Sequence, residues 1–170
     1  TIVACWNVTT YLLTLKPFPE MGPAARFDIT IANPSTCGGD IVSMALSQYG
    51  GTDRLFLSCE AQMAELNLID GTLVSVYERA PSQQSGGLIR AFDRYVVEMP
   101  VYRVQTAETY DIYVWDLASQ KLWHKKLGCP APTSLSLSTT SSGVAQLWAT
   151  CAVGVLRMSG FDSSDSLSYS

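Results

Sequence analysis

Along most of the chain, apolar and polar side chains alternate in short bursts and do not recur at helical spacing. Runs rich in Val, Ile, Leu, Tyr, Phe and Thr are broken every 8 to 15 residues by clusters of Gly, Ser, Asp and Pro. Alternation with period two is what a half-buried strand requires, and the breaks carry turn chemistry. The pattern predicts strands near 2–7, 11–16, 41–47, 54–60, 63–69, 72–79, 88–92, 94–104, 109–116, 121–127, 132–138, 145–151 and 154–158. Between 17 and 40 the chain is rich in Pro and Gly, and only Phe27 to Ile31 alternates well enough for a strand. Pro81 to Gly87 has the composition of a flexible insertion, and the serine-rich end, 161–170, reads as a frayed tail. The expected fold class is all-β.

The predicted strands repeat. With Arg54 set on Gln146, Leu55 falls on Leu147, Phe56 on Trp148, Ser58 on Thr150, Cys59 on Cys151 and Leu66 on Met158. Upstream, residues 42–47 match 133–138, with one extra residue in the later turn. A second register sets Trp6 on Trp115, Asn7 on Asp116 and Leu13 on Leu122, and places Leu66 and Leu73 at the same two apolar positions. Markers of a third strand therefore stand at 6, 66, 115 and 158, at spacings of 60, 49 and 43 residues. A sheet with two faces to cover cannot bury both alone, so stacked repeats are the physical expectation.

YVWDLASQKLWHKKL (113–127) resembles the end of a WD40 repeat, and CWNVTTYLLTL (5–15) resembles a degraded second one. DLASQKLWHKKL is also similar, less closely, to the blade ending of quinoprotein-type propellers. The resemblance implies β-propeller blades of four antiparallel strands. It divides residues 1–160 into about three and a half of them: 2–16 in part, 41–79, 88–127, and 132–158 in part. A closed propeller typically has four to eight blades. The expectation is therefore a segment of a larger propeller, or one completed by a partner.

Composition narrows the partners. Of the 170 residues, 47% are hydrophobic and only 15% charged, which suits a surface largely covered by sheets or by other proteins. The net charge of −4, with no block of Lys or Arg, argues against direct contact with nucleic acid or an anionic membrane. No apolar run reaches the roughly 18 residues of a membrane span, and no signal-peptide pattern opens the chain. Five cysteines at 5, 37, 59, 129 and 151 fit neither a CxxC zinc motif nor a dense disulfide framework. They point to a reduced, cytoplasmic or nuclear protein, against which the single sequon Asn7-Val8-Thr9 stands as a vote for secretion.

No catalytic constellation emerges. An N-terminal threonine nucleophile at Thr1 needs a lysine and an acid on the early strands, but Lys16 runs into Pro17-Phe18-Pro19. The sole histidine, His124, is expected on an outer strand beside Lys125 and Lys126, a poor place for a general base. Cys5, Cys59 and Cys151 read as small buried apolar residues, and Cys37 and Cys129 both precede a first strand. The pairs Gly38-Gly39, Gly50-Gly51 and Gly86-Gly87 match no phosphate-binding motif and read as turn punctuation. No cofactor or metal is expected. Phe18, Arg26, Phe27, Tyr49, Tyr102 and Arg103, at strand ends or in the long loop, are candidate interface anchors. The expected function is a non-catalytic scaffold that holds other proteins in a larger assembly. The alternative is a propeller enzyme or cofactor binder with a site on the central axis.

Overall fold

The computed structural model describes residues 2–7, 12–17, 27–30, 39–67, 72–78, 84–102, 110–127, 132–152 and 154–159. These residues are nearly all β, with a single turn of 3-10 helix, Tyr49–Gly51. Fourteen strands follow one another. They are β1 (Ile2–Asn7), β2 (Leu12–Pro17), β3 (Phe27–Thr30), β4 (Ile41–Ser47), β5 (Arg54–Cys59), β6 (Gln62–Asn67) and β7 (Leu73–Glu78). Then come β8 (Gln84–Phe92), β9 (Tyr95–Tyr102), β10 (Tyr110–Asp116), β11 (Lys121–Leu127), β12 (Ser134–Thr139), β13 (Ala145–Cys151) and β14 (Gly154–Ser159). They form four open antiparallel sheets in which chain neighbours pair: sheet I (β1–β3), sheet II (β4–β7), sheet III (β8–β11) and sheet IV (β12–β14).

The predicted repeat is visible in the strand pairing. Trp6 faces Leu13, Leu66 faces Leu73 and Trp115 faces Leu122, the same cross-strand pair in sheets I, II and III. Likewise Leu55 faces Leu66 in sheet II and Leu147 faces Met158 in sheet IV. Leu66, Trp115 and Met158 each lie on a third strand and are at most 3% exposed, whereas Trp6, expected on a third strand too, lies on β1, the first strand of its sheet among the described residues. Two further expectations need correcting. The first piece of the chain is a three-stranded sheet, because β3 pairs with the far side of β2. The expected loop at 81–87 is strand from residue 84 onward, because a bulge between Ser85 and Leu88 lets β8 continue to pair with β9. Gly86 and Gly87 sit in that bulge. A Cβ on the first would run into the Cys59 carbonyl, and on the second into the Met99 carbonyl, so only glycine lets the backbones approach.

The sheets stack in one sense. On β10, Tyr113 and Trp115 point to one face and pack with Phe56 and Met63 of sheet II. Ile112 and Val114 point to the other face and pack with Leu135, Leu147, Ala149 and Met158 of sheet IV. Sheet III therefore lies between sheets II and IV. The first strands β4, β8 and β12 meet along the stack. Call the face that carries Phe56 the leading face and the one that carries Leu66 the trailing face. Val97 and Val114 hold the cross-strand place in sheet III that Phe56 and Glu65 hold in sheet II. The leading face of sheet II thus packs on the trailing face of sheet III, and the leading face of III on the trailing face of IV.

Candidate interaction face

Two places gather polar and aromatic side chains, and they differ in what is left for a partner. The first is a cleft of about 580 Å³ between sheets II and III, lined by Arg54, Glu65, Ser75, Tyr77, Asp116 and Lys121 among others. Glu65 on β6 is 2% exposed. Its carboxylate accepts from Arg54 Nη1 at 2.7 Å, Ser75 Oγ at 2.6 Å and Tyr77 Oη at 3.0 Å. With both oxygens engaged and a guanidinium alongside, this buried charge ties strands β5, β6 and β7 together. Burial, reinforced by the Glu65 charge, pushes the Tyr77 hydroxyl above its ordinary value of 10.0.

Across the cleft, Asp116 shapes the β10–β11 hairpin. Oδ1 accepts the Ala118 N–H at 3.0 Å and Oδ2 accepts Ser119 Oγ at 2.8 Å. Arg94 Nε lies 3.4 Å from Oδ1. Trp115 meets Tyr77 edge-on at 5.5 Å and stacks on Tyr113 at 6.0 Å, while its buried Nε1 has no hydrogen-bond partner among the described residues. A third buried acid, Glu98 at 0% exposure, accepts from Ser58 Oγ, which in turn accepts the Gly87 N–H at 2.9 Å. The strand pattern alone did not mark Glu65 or Glu98 as structural. The available signal was a lone acid inside an otherwise apolar strand, which folds only with donors around it. The polar groups of the cleft are thus engaged within their own sheets, the Tyr77–Trp115 ring contact crosses it, and the Ser58–Glu98 bond joins sheets II and III outside it.

The second place is the leading face of sheet IV. Ser136, Trp148 and Arg157 form one cross-strand row there, the counterpart of Ala45, Phe56 and Glu65 in sheet II. Phe56 is fully buried against sheet III, whereas Trp148 is 37% exposed. Val155, which stands where Met63 stands in sheet II, is 60% exposed, against 0% for Met63. The row has its own local order. Trp148 Nε1 donates to Ser138 Oγ at 3.2 Å, and the Arg157 guanidinium sits 5.7 Å from the Trp148 ring centroid. An indole with an apolar neighbour and a stacked arginine is the kind of group that anchors protein contacts. Sheet IV also ends at its third strand among the described residues, so β14 has no fourth strand beside it where β6 has β7 and β10 has β11.

The six anchors expected from sequence are not brought together as a described site. Tyr49 lies half-buried in the 3-10 turn, its N–H donating to Ser47 Oγ at 3.3 Å. That turn takes Gly50 and Gly51 at φ 69 and 73, which accounts for the glycine pair. Only the backbone of Phe27 and Tyr102 is described, at the start of β3 and the end of β9, and Phe18, Arg26 and Arg103 lie outside the described residues. Thr1 also lies outside them. His124 is on the fourth strand of its sheet, as expected, with its ring flat on Tyr113 at 4.8 Å and 9°. The reduced-thiol reading of two cysteines is corrected: Cys59 and Cys151 are each disulfide-bonded. Among the described residues no group of three His, Cys, Asp or Glu side chains could hold a metal ion, and no helix is long and apolar enough to cross a membrane. No protein-family model matches the chain, and no curated protein is similar enough in sequence to be matched with it.

Proposed function

We propose that this chain is a run of WD40-like propeller blades acting as a protein-interaction scaffold, with the leading face of sheet IV as its contact surface. One observation carries the reading: Trp148 stands at the place where Phe56 is sealed by the next sheet, yet it is 37% exposed. Stacking in which one face always meets the opposite face of the next sheet is heterologous, so an open stack always has a leading face to offer. The fitting occupant is a further antiparallel sheet whose trailing face carries an apolar row like Val96 and Trp115. Its neighbouring edge can pair with β14. The low charge of the chain, 15% of residues, leaves little repulsion to oppose such docking.

Size-exclusion chromatography with light scattering on the chain tests this. We expect concentration-dependent association that Trp148→Glu reduces to monomer, with the thermal midpoint unchanged. A wild-type chain that stays monomeric at high concentration overturns the reading. So does a Trp148→Glu chain that associates as the parent does.

A further inference from the structure

We propose that Cys37 bonds Cys59 and Cys129 bonds Cys151, one equivalent disulfide in each of two repeats, and that the chain folds in an oxidising compartment. Cys59 and Cys151 are both disulfide-bonded, and both are the last residue of a second strand, β5 and β13. They do not bond each other. Sheet III lies between their sheets, and two inter-sheet spacings of about 10 Å each exceed the roughly 4.4–6.8 Å between the Cα atoms of a disulfide. Two equivalent cysteines call for two equivalent partners, and Cys5 can serve only one of them.

Cys37 and Cys129 meet that condition, since each stands 22 residues before its partner. Both lie outside the described residues, and the register places the residues that follow them alike. Ile41 faces Cys59, and the pairing continues outward as Glu60 N–H donates to the Asp40 carbonyl at 3.0 Å. In sheet IV, Ser134 faces Thr150, and the Thr133 N–H donates to the Thr150 carbonyl at 2.9 Å, which brings Thr133 alongside Cys151. In both sheets the upstream cysteine is four residues before the residue beside its partner, within reach of a chain that turns back. In the first repeat, Gly39, at φ 135, supplies such a turn. Each bond ties the segment entering a first strand to the end of the second.

Closing each bridge joins two thiols as S–S and releases two protons and two electrons, which an oxidised thiol–disulfide carrier must accept. Such carriers prevail in secretory and extracellular settings. This replaces the cytoplasmic or nuclear location expected from composition, and it accords with the sequon at Asn7.

The test is peptide mapping of the whole chain, refolded in a glutathione redox buffer, unfolded under N-ethylmaleimide and cut with trypsin and chymotrypsin without reductant. We expect trypsin alone to give fragment 27–54 joined to 55–79, subsequent chymotrypsin to cut 127–157 into a Cys129 fragment joined to a Cys151 fragment, and alkylation at Cys5 alone. Cys37→Ser should expose Cys59 and not Cys151 to alkylation, and Cys129→Ser the reverse. Under graded reductant, the bond at half-buried Cys151 should open before the one at Cys59, which is 0% exposed. Alkylation of Cys59 or Cys151 in the refolded wild-type chain, or a link from either to Cys5 or to each other, overturns the proposal.

Discussion

Sheets II and IV are built from the same pattern and end in opposite situations. Their second and third strands match residue for residue, from Leu55 on Leu147 to Leu66 on Met158, and the matched residues face the same partners. On the trailing face the outcome is shared: Leu55, Leu66, Leu147 and Met158 are all at most 3% exposed. On the leading face it is not. Phe56 and Met63 lie against sheet III, while Trp148 and Val155 meet solvent. Their polar neighbours diverge accordingly. Glu65 is wrapped by three donors, but its counterpart Arg157 only stacks on an indole. The same local sequence logic thus produces a core position or a contact surface, depending on whether another sheet follows.

The sharpest way to break this comparison is to delete the matched aromatics. Phe56→Ala should destabilise the chain by about 3–5 kcal/mol, the usual result for a buried aromatic in a packed core. Trp148→Ala should change stability by roughly 0.5 kcal/mol, as exposed positions do. Urea melts with similar losses at both sites would mean that sheet IV is covered. Next in size is the effect of the disulfides. Reducing either should cost about 3 kcal/mol in the chain-entropy account for a loop of this length, read as a lower thermal midpoint.

A third comparison uses Ser58 and Thr150, matched residues beside the two cysteines. Ser58→Ala removes the hydroxyl between the Gly87 N–H and Glu98, all buried, and should cost about 1–3 kcal/mol. Thr150 is exposed, and its hydroxyl accepts from Ser134 Oγ at 2.8 Å in contact with solvent. Thr150→Ala should therefore cost about 0.5 kcal/mol or less. Equal losses would place the buried network elsewhere.

The smallest effect is one of pH. Folding raises the Tyr77 hydroxyl above 10.0, so the native state favours the neutral phenol. Its contribution is fully present below that value and is lost as pH rises through it toward the higher folded value, because the unfolded chain gives up the proton first. Stability should therefore fall above about pH 10 in the parent, and less steeply in Tyr77→Phe. Alkaline melts with equal slopes would mean that Tyr77 is as solvated as in the unfolded chain.

Much of this architecture was written in the sequence. Alternation of period two located the strands, and the repeat fixed which residues face one another, because a one-residue slip would turn Leu55 and Leu147 to the other side. The Asp116 turn is local as well: its hydrogen bonds reach only Ala118 and Ser119, so side-chain chemistry decides them. The entry into β8 was not legible. Whether Gly86-Gly87 ends a strand or bulges within it depends on the Cys59 and Met99 carbonyls, which belong to other strands. The buried acids were equally hidden, since Glu65 and Glu98 are tolerable only where Arg54, Ser75, Tyr77 and Ser58 converge on them. Only the tertiary structure decided which face of each sheet is a core and which is open. Burial is a property of the neighbour, and no pattern along one strand records whether that neighbour is there.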